Sequence, residues 1–187
     1  MMVCGIDYGS KLAGTTSIAY RDNGEIKLLR SAKKQDADKM IIDFCDKHRP
    51  ELIAIDAPLS LPGVYSNKID FNDYFYREAD RVLRAMSPMF LGGLTARAMR
   101  LKDKLTAIAF IEVYPVYRAR EMGLEAMGYR SKSPDIDAMG SALNMEKLPD
   151  IASSHDFDAV LCLEIAERYA KGLAKQEGLA GEGLIYY

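Results

Sequence analysis

At 187 residues, with 49% hydrophobic and 28% charged content, the chain suits one sizeable core of an ordinary globular protein. No apolar run is long enough to span a bilayer and no signal segment opens the chain, so a cytoplasmic protein with no membrane partner is expected. A formal net charge of −2 gives no global pull toward nucleic acid; three scattered cysteines argue against a disulfide framework or zinc ribbon, and two histidines exclude a multi-histidine metal site.

Taken in order, Val3-Cys4-Gly5-Ile6 reads as a buried strand that delivers one carboxylate, Asp7, to its tip. Gly9 and Gly14 follow with Lys11 between them, a turn open to close backbone approach. On this stretch alone, an Asp that caps a hairpin and an Asp that serves a site are equally good readings. Alternation over residues 15–20 gives a second strand, Asp22-Asn23-Gly24 a hairpin turn, and Ile26, Leu28 and Leu29 a third strand, so three antiparallel strands open the protein. Residues 36–47 carry helical spacing (Met40, Ile41, Phe44, Cys45) and stop before Pro50. Residues 52–56 form another apolar strand ending in a carboxylate, Asp56. The helix that connects it to the earlier strands makes it parallel to the first.

Residues 63–105 are expected as a helical insertion, with helices over 75–86 and 94–105 separated by Ser87-Pro88 and Gly92-Gly93. Residues 107–114 give a further core strand carrying Glu112. One or two short helices follow within 118–148, a long helix over 153–171, and a terminal strand within 181–187. The fold class is therefore α/β, a mixed sheet flanked by helices in a single domain over 1–187.

In the last helix, Asp158 shares a face with Leu161, Cys162, Ile165 and Tyr169, and His155 lies one turn earlier. Ser153 and Asp156 have the spacing of a capping box, which accounts for Asp156 better than for Asp158. Asp7 and Asp56 end parallel strands, whose tips share one sheet edge, and Asp158 opens a helix packed on that sheet. Three such carboxylates repel unless hard divalent cations lie between them, and oxygen-rich sites suit Mg²⁺ or Mn²⁺, two ions being the number that clamps a phosphoryl transfer.

Asp7-Tyr8-Gly9-Ser10-Lys11-Leu12-Ala13-Gly14 resembles the Asp-x-Gly-x-Lys-x-x-Gly opening of resolvase-like proteins of the ribonuclease H superfamily, and His155-Asp156-Phe157-Asp158-Ala159 is similar to the start of the final helix in Holliday-junction resolvases. With Ile55-Asp56-Ala57-Pro58-Leu59, Arg77 through Arg84, and Glu112-Val113-Tyr114-Pro115, the whole resembles the domain-of-unknown-function 429 family, described as predicted nucleases with a ribonuclease-H-like fold. The resemblance implies that Asp7, Asp56 and Asp158 are metal-binding acids and that His155 assists at the second metal. It places Glu112 in a family motif without a role. The expected activity is hydrolysis of nucleic-acid phosphodiesters. Lys11 is a candidate phosphate contact, and an ordinary solvated lysine is an equal reading.

Arg77, Arg81 and Arg84 fall at i, i+4 and i+7, one expected helical stripe that could grip a nucleic-acid backbone, DNA or RNA. A solvated face with internal ion pairs is the bland alternative. Gly9 to Gly14 has P-loop glycine spacing but Thr15 in place of the lysine, and no Gly-x-Ser-x-Gly elbow occurs. Two other readings stay open: an ATP-binding protein of the actin-like superfamily, which needs a second copy of the fold, and a catalytically silent module that binds nucleic acid or a partner. A homodimer is left open.

Overall fold

A computed structural model describes residues 1–66, 71–145 and 147–187. Residues 67–70 of the expected insertion and residue 146 of the expected short helices lie outside the described residues. The chain opens with β1 (Val3–Asp7), β2 (Ser17–Asp22) and β3 (Glu25–Arg30), an antiparallel meander. Asn23 and Gly24 both take positive φ, 51° and 85°, the backbone that a tight two-residue hairpin requires. Helix α1 (Ala37–His48) begins at Asp36, whose side chain accepts the free amides of Asp38 and Lys39. It stops at Arg49 in a left-handed conformation, just before Pro50. This crossover returns the chain as β4 (Leu52–Asp56), parallel to β1, with Asp7 directly opposite Asp56.

Between β4 and β5 (Ala109–Val113), the described residues hold a 3-10 turn at Gly63–Ser66 and helices α2 (Glu78–Leu83), α3 (Pro88–Leu91) and α4 (Gly93–Lys104). The expected helix over 75–86 shrinks to six residues. Arg77 is extended at its N-cap and Arg84 is left-handed at its end, with φ 55°. Ser87-Pro88, read as a separator, instead starts α3, with Ser87 accepting the Met89 amide and Pro88 filling the first turn. Then come α5 (Pro115–Glu121), α6 (Ile136–Ala142) and α7 (Ser154–Ala170), followed by β6 (Gln176–Leu179) and β7 (Gly183–Tyr186). The seven strands form one mixed sheet in the order β3-β2-β1-β4-β5-β7-β6. β6 escapes the sequence reading because Gln176-Glu177-Gly178-Leu179 has no apolar alternation; it is an edge strand defined by pairing with β7.

One sheet face, with Cys4, Ile6, Ile53 and Ile55, packs on α1 and α4. The other, with Ala19 and Ala54, packs on α7. α7 is buried on all sides from Asp156 to Ala166, so it is a central helix and not the one-faced helix that the stripe through Asp158 suggested. Gly5 permits this arrangement. A Cβ there would stand 2.1 Å from the backbone nitrogen of Leu163 and 2.5 Å from the carbonyl oxygen of Ala159. Among the described residues no helix is long and apolar enough to cross a membrane.

Because the clash at Gly5 is with helix backbone, no side chain can swing away to relieve it. Gly5→Ala is expected to lower the unfolding free energy by about 2–3 kcal/mol in urea titration, the upper part of the usual cost of overpacking. A loss below about 0.5 kcal/mol, the scatter of ordinary surface changes, would show that α7 does not lie this close to β1.

Candidate functional site

Strand alternation puts Gly5 and Asp7 of β1, and Ala54 and Asp56 of β4, on the sheet face that α7 covers. Small residues two positions before each acid let the helix settle on the strands, and its first turn then lies against the strand tips. That turn is anchored independently. Ser153 and Asp156 form the expected capping box, and the Asp156 carboxylate also accepts from Ser17 Oγ at 2.6 Å and Arg30 Nε at 2.9 Å. Burial works to raise the Asp156 carboxyl, but these hydrogen bonds hold it below its usual value. α7 is thereby tied to β2 and β3, and His155 and Asp158 are aimed at the edge where β1 and β4 end.

The structure brings Asp7, Asp56, His155 and Asp158 to that edge. His155 Nδ1 lies 2.7 Å from Asp7 Oδ2. Burial raises the Asp7 carboxyl above its usual range; the His155 hydrogen bond opposes this, and the charge of Asp158 adds to it. Loss of hydration, then the charges of Asp7 and Asp158, push Asp56 well up, with Arg130 opposing. The hydrogen bond to Asp7 raises the His155 imidazole above its ordinary value in spite of partial burial. Among the described residues no donor reaches the Asp56 carboxylate. Asp158 differs: it accepts from Tyr129 Oη at 2.5 Å on one oxygen and from Arg130 Nη2 at 2.6 Å on the other. Asp7, Asp56, Glu112 and Arg130 line a cavity of about 300 Å³ whose apolar walls include Met86, Leu91 and Leu94.

The donor set, three carboxylates and an imidazole, has the chemistry of a hard divalent-cation site. The arrangement is a different matter. Among the described residues no three His, Cys, Asp or Glu side chains form a group that could hold a metal ion. At Asp158 the Arg130 guanidinium and the Tyr129 hydroxyl engage one oxygen each.

The remaining candidates lie elsewhere. Arg77 is not part of a surface stripe; it is 1% exposed and faces inward. Its guanidinium bonds Asp80 at 2.7 and 3.0 Å, Glu112 at 2.6 and 2.7 Å, and Ser60 Oγ at 2.8 Å. A buried guanidinium needs such partners, which is why this arginine turns away from solvent. Glu112 also accepts the Leu59 amide at 2.8 Å, so both its oxygens are engaged in joining α2 to β5 although it borders the cavity. Burial raises the Glu112 carboxyl, and Arg77 opposes it. Arg81 bonds Asp73 and lies over the Tyr76 ring, 4.6 Å from its centroid. Arg84 is exposed at the end of α2. The three arginines therefore share no helical face. Lys11 pairs with Asp36 at 3.0 Å in the exposed turn.

Tyr129 and Arg130 were not legible as site residues. They sit in a stretch with little periodicity, and Arg130 reaches the acids from a left-handed backbone, φ 59°, that no residue type announces. A second cluster, in which Asp38 receives Tyr8 Oη at 2.6 Å and Arg97 Nη2 at 2.6 Å, was also invisible, because its members are far apart in the chain. No family model matches the chain, and no curated protein matches it in sequence.

Two measurements follow from these charges. A carboxyl whose folded pKa is raised contributes stability at low pH that is lost as pH rises through the folded value. Asp56→Asn should therefore raise the melting temperature of metal-free protein at about pH 7.5, with the gain fading toward about pH 4; a lower melting temperature at the higher pH would reveal a structural hydrogen bond instead. Arg77→Met should cost about 3–5 kcal/mol by leaving Glu112 and Asp80 buried without their cation. The same sign applies to Glu112, whose carboxyl burial raises and Arg77 no longer opposes, so the deficit should shrink on acidification. A pH-independent loss below about 1 kcal/mol would contradict the buried triad.

Proposed function

We propose that the chain is a divalent-metal-dependent nuclease of ribonuclease-H-like fold that hydrolyses phosphodiesters of nucleic acid, as the resemblance to the domain-of-unknown-function 429 family implies. The observation that carries the reading is the register: Asp7 and Asp56 stand side by side at the ends of neighbouring parallel strands, with Asp158 and His155 of α7 beside them. The antiparallel β1-β2-β3 meander followed by parallel β4 and β5 supports the fold assignment.

Asp7 and Asp56 would hold Mg²⁺ or Mn²⁺, joined by Asp158 once Arg130 has moved off it. The chemistry that such an ion supplies is Lewis-acid polarisation of a phosphoryl oxygen. His155 orients Asp7 through Nδ1, and that hydrogen bond holds its imidazole above the ordinary value. Arg130, once free of Asp158, stays within reach of the same edge and offers its planar fork to the phosphate that replaces the carboxylate. The apolar walls from Met86, Leu91 and Leu94 limit water around the acids.

A second reading has one specific support: Asp158 is already satisfied by protein donors, as it would be in a silent binding module. Calorimetry with Mn²⁺ and a cleavage assay separate the two. The nuclease reading expects Asp7→Asn to lose both Mn²⁺ binding and cleavage. It expects Arg130→Ala to bind Mn²⁺ at least about tenfold more tightly, because a close competing charge is gone. Parent protein that neither binds Mn²⁺ nor cleaves any oligonucleotide, together with an Arg130→Ala variant that is destabilised and gains no Mn²⁺ affinity, would leave the silent module.

A further inference from the structure

The segment between β4 and β5 carries exposed aromatic rings that the acid site does not use. Tyr74, Phe75 and Phe90 are 60%, 54% and 64% exposed. Phe75 and Phe90 lie nearly parallel, with centroids 5.7 Å apart and planes 29° from each other, and Tyr76 meets Phe90 edge-on at 5.8 Å. The pair is held in place by Ser87, which is fully buried: its hydroxyl donates to the Phe75 carbonyl while accepting the Met89 amide at the start of α3. Rings left in water forgo roughly 1.5–3 kcal/mol each of burial, so a fixed, contiguous cluster of them calls for a ligand.

Two features of the surroundings choose the ligand. The first is charge. Arg81 stacks on Tyr76 while its guanidinium also bonds Asp73, and Arg84 follows, exposed, at the end of α2. Cations interleaved with rings suit an anionic strand whose bases present flat faces, and fit a purely apolar protein surface poorly. The second is continuity. Met86 and Leu91, close to Phe90 in the chain, form part of the wall of the cavity that holds Asp7 and Asp56, so the segment that carries the rings also borders the acids.

We propose that Phe75, Phe90 and Tyr76 form a stacking platform for unpaired bases, and that the substrate is single-stranded nucleic acid, DNA or RNA, or the single-stranded part of a branched molecule. This deepens the nuclease reading and rests on it for the link to cleavage. Duplex bases are stacked on one another and cannot use the platform, so the preference is for structure and not for sequence.

The test is fluorescence anisotropy with labelled oligo-dT, oligo-U and a blunt hairpin duplex, in EDTA so that nothing is cut. Phe90→Ala should weaken binding of both single strands by roughly tenfold, within the range for loss of one stacked base, and leave duplex binding within about twofold. Phe90→Trp should restore it. Phe75→Ala repeats the test from the other side of the pair, and thermal melting confirms that each variant is folded. Parent protein that binds neither single strand overturns the proposal. So does a Phe90→Ala variant that binds as the parent does, one that loses single strand and duplex equally, or one that alters only self-association on size exclusion. Asp7→Asn separates this platform from the acid site: it should bind the oligonucleotides as the parent does. Parent protein that binds single strands through Phe90 yet never cuts them with Mn²⁺ would remove the nuclease reading and leave the platform.

Discussion

The site depends on how closely a helix can approach a strand. α7 lies on β1 at Gly5, where even a methyl group would overlap the helix backbone, and on β4 at Ala54. Each small residue is two positions before an acid, on the same face of its strand. The absence of a side chain at Gly5, in the middle of β1, is therefore what allows His155 and Asp158 to reach the acids at its end. The capping residues add direction. Asp156, held by Ser17 and Arg30, fixes which turn of α7 faces the strand tips. A helix shifted by four residues, about one turn, would bring Ala159 and Cys162 to the same edge, and no carboxylates.

Two of the arginines that neutralise buried acids are placed very differently. Arg77 is committed: enclosed, bonded to two carboxylates and a hydroxyl, it joins the helical segment to the sheet. Arg130 is differently placed. Its side chain is 48% exposed, on a loop rather than within a helix or strand, and among the described residues its one carboxylate bond is to Asp158. The first arrangement is costly to break because its charges would be stranded away from water. In the second, Arg130 regains hydration as it swings out, but Asp158 is only 2% exposed, so opening the pair leaves a buried carboxylate that an incoming cation would have to neutralise. The same ion-pair chemistry is thus closed to solvent on both sides at Arg77 and on the carboxylate side alone at Arg130.

Much of this was legible in the sequence, for physical reasons that can be named. The strands ending in Asp7 and Asp56 are short apolar runs closed by a charge, and their parallel pairing follows from the intervening helix. The capping box at Ser153 announces the start of α7. The arginine stripe failed because helical spacing was assumed across Arg77, where the backbone is extended, and Arg84, where it is left-handed. Ion pairing with Glu112, a partner 35 positions away, overrode local spacing. Tyr129 and Arg130 escaped altogether, since their role comes from a loop conformation and a long-range contact, neither of which leaves a periodic trace. The aromatic cluster is likewise scattered over Tyr74, Phe75, Tyr76 and Phe90, and only the turn at Ser87 brings it together.

The central claim is that the acids at the tips of β1 and β4 form a divalent-cation site guarded by Arg130. The most direct measurement is a crystal structure of the protein grown with Mn²⁺, with anomalous scattering used to locate the ion. The account predicts an anomalous peak between the carboxylates of Asp7 and Asp56, with Arg130 withdrawn from Asp158 and the Asp158 carboxylate turned toward the ion. An edge without anomalous density at saturating Mn²⁺, with Arg130 still seated on Asp158, would contradict it.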